Sequence, residues 1–91
     1  MNTLVLGSVV YSVRGRDSGR YYMVVKVIDD QFVLISDGEK RLLETPKKKR
    51  YKHLKHNGVV IDKISKKLAE NSVVYNQEIR SALKEFNAVE L

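Results

Sequence analysis

The sequence predicts a mainly β fold: a small, partly open β-barrel of four to five short strands, followed by two short C-terminal α-helices. Three observations carry that expectation. Short β-branched and aromatic runs, separated by turn residues, fill the first 57 positions. Beyond Asn57-Gly58 the apolar spacing changes from strand-like to helical. The chain has 91 residues and no Cys, so a single modest core without disulfide support is all it can build.

The first strand is read at 8–13, "SVVYSV", directly after Gly7. The second is "YYMVVKVI" at 21–28, and Asp29-Asp30-Gln31 supplies turn chemistry before the third, "FVLIS" at 32–36. Asp37-Gly38 is a strong hairpin signal because Gly takes positive φ at little cost. It predicts that "EKRLLE" at 39–44 returns as a fourth strand. Pro46 interrupts pairing, and "RYKHLK" at 50–55 is expected to close the barrel. In the second part, Ile61, Ile64 and Leu68 recur at helical spacing, as do Tyr75, Ile79, Ala82, Leu83 and Phe86. Asn76 is the expected cap of the last helix, with Glu78 in its first turn. Helices this short are marginal alone, so their stripes must pack on the barrel or on each other. The chain therefore divides into a barrel at 1–57, which includes a basic segment at 45–57, and a helical extension at 58–91.

Charge placement points to a class of partner. Lys/Arg and Asp/Glu cancel over 1–44 and again over 58–91, so the whole net charge of +6 lies in "TPKKKRYKHLKHN", 45–57, which contains no acid. A concentrated patch of this kind attracts polyanions, and a solvated basic loop is its plainer alternative. No apolar run is long enough to cross a bilayer. The N-terminal "MNTLVLGS" lacks the basic and apolar regions of a signal peptide, which predicts a cytoplasmic protein.

A second concentration of charge lies in "VRGRDSGRYYMVV", 13–25. Gly15 and Gly19 flank Arg16-Asp17-Ser18 between two strands, which suffices for a well-formed turn. A turn does not need Arg14, Arg16 and Arg20 as well. Guanidinium is suited to phosphate, and amides beside glycines add anion-binding donors. Asp17 is placed to hold one of these arginines.

"GSVVYSVRGRDSGRYYMVVKV", 7–27, resembles the KOW motif, in which a glycine-tipped loop joins two strands. "IDDQFVLISDGEKRLLETPKKKRYKHLK", 28–55, is similar to its continuation in the archaeal and eukaryotic-type large-subunit ribosomal protein fourteen family and its small bacterial relatives. The resemblance covers about residues 6–56. It implies an SH3-like barrel that binds RNA, usually ribosomal RNA. Carried onto this chain, it matches Gly19 to the motif glycine, Gly15-Arg16-Asp17 to a characteristic triplet, and Lys47–Lys55 to the basic segment.

The expected RNA-binding residues are Arg14, Gly15, Arg16, Asp17, Gly19, Arg20, Lys47, Lys48, Lys49, Arg50, Tyr51, Lys52, His53 and Lys55. Cations neutralise phosphates, and an exposed aromatic, Tyr51 before Tyr21 or Tyr22, can stack on an unpaired base. Core packing is the alternative for the tyrosines, with one of Tyr21 and Tyr22 pointing inward. His53 and His56 lie in a stretch that reads as extended, so neither a metal site nor a cofactor is expected. No nucleophile, phosphate-loop or dinucleotide pattern is present, and the chain is not expected to be an enzyme. The expected partner is ribosomal RNA or the large subunit, bound by a chain that is monomeric when free. A transcription-elongation module and a protein-interaction domain are the alternatives.

Overall fold

Each β-branched run becomes a strand because its two faces meet different apolar surroundings. The computed structural model describes residues 4–88; residues 1–3, at the start of the N-terminal segment considered above, and 89–91, at the end of the helical extension, lie outside the described residues. β1 (Ser8–Ser12), β2 (Tyr21–Val27), β3 (Phe32–Ser36), β4 (Lys47–Arg50) and β5 (Leu54–Val60) form one antiparallel sheet in the order β4-β3-β2-β1-β5. A 3₁₀ turn, Tyr51–His53, links the two outermost strands and curls the sheet into an SH3-like barrel.

The central strands are covered on both sides. In register, Val10 lies opposite Tyr22 and Val9 opposite Met23. Val10 and Tyr22 face inward with Leu4, Val24, Val33, Ile35 and Leu54. Val9 and Met23 face outward, against Ile64, Ile79 and Leu83. Those three come from α1 (Asp62–Ala69) and α2 (Asn76–Asn87), so the helical stripes complete a second core on the outer face of the sheet. Burying each large apolar side chain stabilises the fold by about 1.5–3 kcal/mol. β5 runs without a break through the boundary drawn at 57/58.

Three local expectations are corrected. The closing strand is not 50–55: Tyr51–His53 form the 3₁₀ turn, and the strand that closes the sheet is β5, Leu54–Val60. Residues 39–44 form no strand; the fourth strand is Lys47–Arg50, inside the basic segment. Asp37 explains the difference. Its Oδ1 accepts from the Glu39 and Arg41 amides at 3.0 and 2.8 Å, winding the chain into a loop instead of a tight hairpin. Pro46 then stands just before the strand, where its missing N–H costs no ladder bond. At α2 the cap residue is Tyr75, not Asn76. Glu78 reaches back to accept from the Tyr75 amide at 3.0 Å, while the Asn76 side chain accepts from the Leu43 amide at 2.7 Å and donates to Glu44 at 2.9 Å.

Candidate nucleic-acid interface

The turn between β1 and β2 is closed by the Gly19 amide donating to the Ser12 carbonyl at 2.9 Å and the Ser12 amide to the Arg20 carbonyl at 3.1 Å. Gly15 and Gly19 both have positive φ, near +87° and +88°. Asp17 folds back into the turn, where its Oδ1 accepts from the Ser12 hydroxyl at 3.1 Å and from the Lys49 ammonium at 2.6 Å. Lys49 also donates to the Arg14 carbonyl. Asp17 and Lys49 are only 8% and 7% exposed. The cation that Asp17 holds is thus Lys49 and not one of the arginines. Burial pushes the Asp17 carboxyl up, but the hydrogen bond and charge of Lys49, with the Ser12 hydroxyl, outweigh it and hold the group below its ordinary value. Oδ2 of Asp17 is buried without a hydrogen-bond partner among the described residues.

β4 divides its four cations by pleat. Lys49 lies opposite Val33 and points inward. Lys48 and Arg50 are exposed on the other face, where the Lys48 ammonium sits 4.5 Å and the Arg50 guanidinium 5.1 Å from the centre of the Phe32 ring. Lys47 is half-buried. The following turn reaches the β1–β2 loop directly, because the Val13 amide donates to the His53 carbonyl at 3.0 Å. His53 is pushed below its ordinary value, first by desolvation and then by the charges of Arg14, Lys49, Arg50 and Lys52. Lys55 and His56 are exposed on β5.

The glycine-tipped turn and the basic segment therefore meet, with Lys49 as the joint. Arg14, Arg16, Lys48, Arg50 and Lys52 are exposed around it. The positive φ favours Gly15 there, and a Cβ would stand 2.9 Å from the far end of the Lys49 side chain. Arg20 is directed elsewhere: its guanidinium bonds Asp37 at 3.1 and 3.3 Å and Glu39 at 3.4 Å. Tyr22 is buried, Tyr21 packs between Tyr11 and Phe86 with ring centres 4.9 and 5.5 Å away, and Tyr51 lies against the inner core. Sequence reasoning missed Ser12, Phe32 and Asp37. Strand alternation would have placed Phe32 beside the outward cations had β4 been located. The pairing of Asp37 with Arg20 spans 17 positions and leaves no local signal.

A curled five-stranded barrel, an arginine-bearing glycine turn on its rim and a lysine-rich strand tied to that turn define a small KOW-type domain with a helical extension. No protein-family profile matches the chain. The large ribosomal subunit protein eL14 of Hyperthermus butylicus is 32% identical over 85 residues, which cover 93% of this chain and 80% of that relative. The chain belongs to the eL14 family of ribosomal proteins.

Proposed function

We propose that this chain is a non-enzymatic RNA-binding protein that contacts ribosomal RNA in the large subunit, through the β1–β2 turn, the outer face of β4 and the start of β5. The observation that carries the reading is the buried Lys49–Asp17 pair, which fixes the arginine turn against the lysine strand. Arg14, Arg16, Lys48, Arg50, Lys52 and Lys55 would contact phosphates. Gly15, Gly19, Asp17 and Lys49 would shape the surface without touching RNA. Family membership favours ribosomal RNA over other polyanions, and with it a cytoplasmic location and a monomeric free state.

The test is co-sedimentation with large subunits, and filter binding to their RNA, across a salt series. Lys48→Glu with Arg50→Glu should weaken binding more than tenfold and lower the salt slope by about two, roughly one for each phosphate that is no longer neutralised. Lys49 stays untouched in this variant, because reversing a buried charge would unfold the site. Unchanged affinity would remove the outer face of β4 from the interface. Salt-resistant binding to a protein component, indifferent to these charges, would replace the RNA reading with that of an interaction domain.

A further inference from the structure

One acid stands against the cationic rim without a structural duty. The turn before β3 contains two aspartates. Asp29 shapes it, its Oδ1 accepting from the Gln31 and Phe32 amides at 2.8 and 2.9 Å. Asp30 is exposed and has no hydrogen bond or ion pair among the described residues. The Tyr51 amide donates to the Gln31 carbonyl at 2.7 Å and brings the end of the basic segment against this turn. Between them is an open hollow of about 280 Å³ lined by Asp30, Gln31, Arg50, Tyr51 and Lys52. The Gln31 side-chain oxygen is 3.5 Å from the Arg50 guanidinium, which in turn lies over Phe32.

A surface built for phosphate alone gains nothing from a carboxylate, since the two repel. A nucleotide carries both signs of recognition: phosphates that need cations, and base edges that offer donors. Guanine has an imide N–H and an amino group side by side on its Watson–Crick edge. These match the two oxygens of a carboxylate, whereas adenine, cytosine and uracil offer only one of these donor groups there. Unpaired bases present that edge freely, and a guanidinium plane adds a stacking surface.

We propose that this hollow takes one unpaired guanosine-type nucleotide, with Asp30 accepting from the base's two adjacent donors while Arg50 and Lys52 hold its phosphates. Gln31, held beside Arg50, closes the edge of the site. The proposal rests on the RNA-binding reading above and adds to it the recognition of a single base in a surface that otherwise reads only backbone.

The test measures fluorescence anisotropy of the full chain with short oligouridine RNAs that carry one central guanosine, inosine or adenosine. Guanosine should bind about tenfold tighter than adenosine. Inosine, which lacks the amino group, should fall between them. Asp30→Ala should abolish the preference and leave the adenosine oligonucleotide bound equally well or more tightly, because a repelling charge has gone. A folded Asp30→Ala variant that keeps the guanosine preference would overturn the assignment to Asp30. Equal, salt-sensitive affinities for all three RNAs in the unmodified chain would overturn the base pocket and leave the RNA-binding reading standing. No binding of any RNA at low salt, whole large subunits included, would bring down both.

Discussion

The β1–β2 turn and the loop at 37–46 are made of the same parts and end in opposite roles. Each has a glycine at positive φ, Gly15 or Gly38, and an aspartate that is nearly buried, Asp17 or Asp37. Each aspartate holds a cation from a distant stretch, Lys49 or Arg20. The 37–46 loop is then covered by α2, whose Asn76 side chain binds the Leu43 amide and whose Asn76 carbonyl stands directly over Gly38. Nothing among the described residues covers the β1–β2 turn in this way, and Arg14 and Arg16 remain exposed. Local chemistry makes a charged turn; the element packed above it decides whether the charges face solvent or are used in the fold.

The largest expected break in this comparison is Lys49→Met. It leaves the Asp17 carboxylate buried without its cation, with the Ser12 hydroxyl still donating to it. Losing one member of a buried pair costs about 3–5 kcal/mol. For a domain of this size that corresponds to a fall in Tm of more than about 12 °C, readable by circular dichroism. Asp17→Asn combined with Lys49→Met should recover part of the loss, since no lone charge is then left inside. Equal stability of Lys49→Met and the unmodified chain would show that the joint does not hold the turn to β4.

The glycines sharpen the contrast. At Gly38 a Cβ would come within 2.2 Å of the Asn76 carbonyl oxygen, and φ is +73°. Backbone cannot yield cheaply on either side, so Gly38→Ala should cost about 3 kcal/mol, from left-handed strain and overpacking together. At Gly15 the nearest atom is the far end of the Lys49 side chain, at 2.9 Å. That end can shift, so Gly15→Ala should cost only the strain of positive φ, about 1–2 kcal/mol. Denaturant melts of the two variants give the order directly, and a reversed order would mean that α2 is seated more loosely on the loop than Gly38 implies.

The legibility of this chain in its sequence follows the same division. Strands β1, β2 and β3 and both helices are readable because each keeps one apolar period throughout, as in "YYMVVKV" or Ile79, Leu83 and Phe86. β4 is not, because "KKKR" carries no apolar signal at all. It becomes a strand by pairing with β3, and the apolar stem of Lys49 occupies an inward position while its charge reaches Asp17. The local pattern points instead to "EKRLLE" for the fourth strand, where Asp37 redirects the chain. Charge placement marks the turn and the basic segment as two separate concentrations of cations. That a lysine of the segment joins them, and that Arg20 is withdrawn to Asp37, depends on pairs 32 and 17 positions apart, which no local pattern encodes.

The smallest effect isolates the carboxylate itself. In the unmodified chain Asp17 titrates below its ordinary value of 3.8, so its contribution is complete above that pH and is lost as pH falls from there towards the folded-state value. In Lys49→Met the hydrogen bond and charge of the lysine are gone while burial still acts against the charged form, so the folded-state value is less depressed than in the unmodified chain. The variant therefore loses less stability to protonation of Asp17 on acidification than the unmodified chain does. Other carboxylates titrate in both proteins and cancel in the difference. The gap in Tm between the two should therefore be widest near neutral pH and narrow steadily through and below pH 3.8. A gap that stays constant over that range would assign the loss in Lys49→Met to packing of the lysine stem, and Asp17 would be no more than a turn residue.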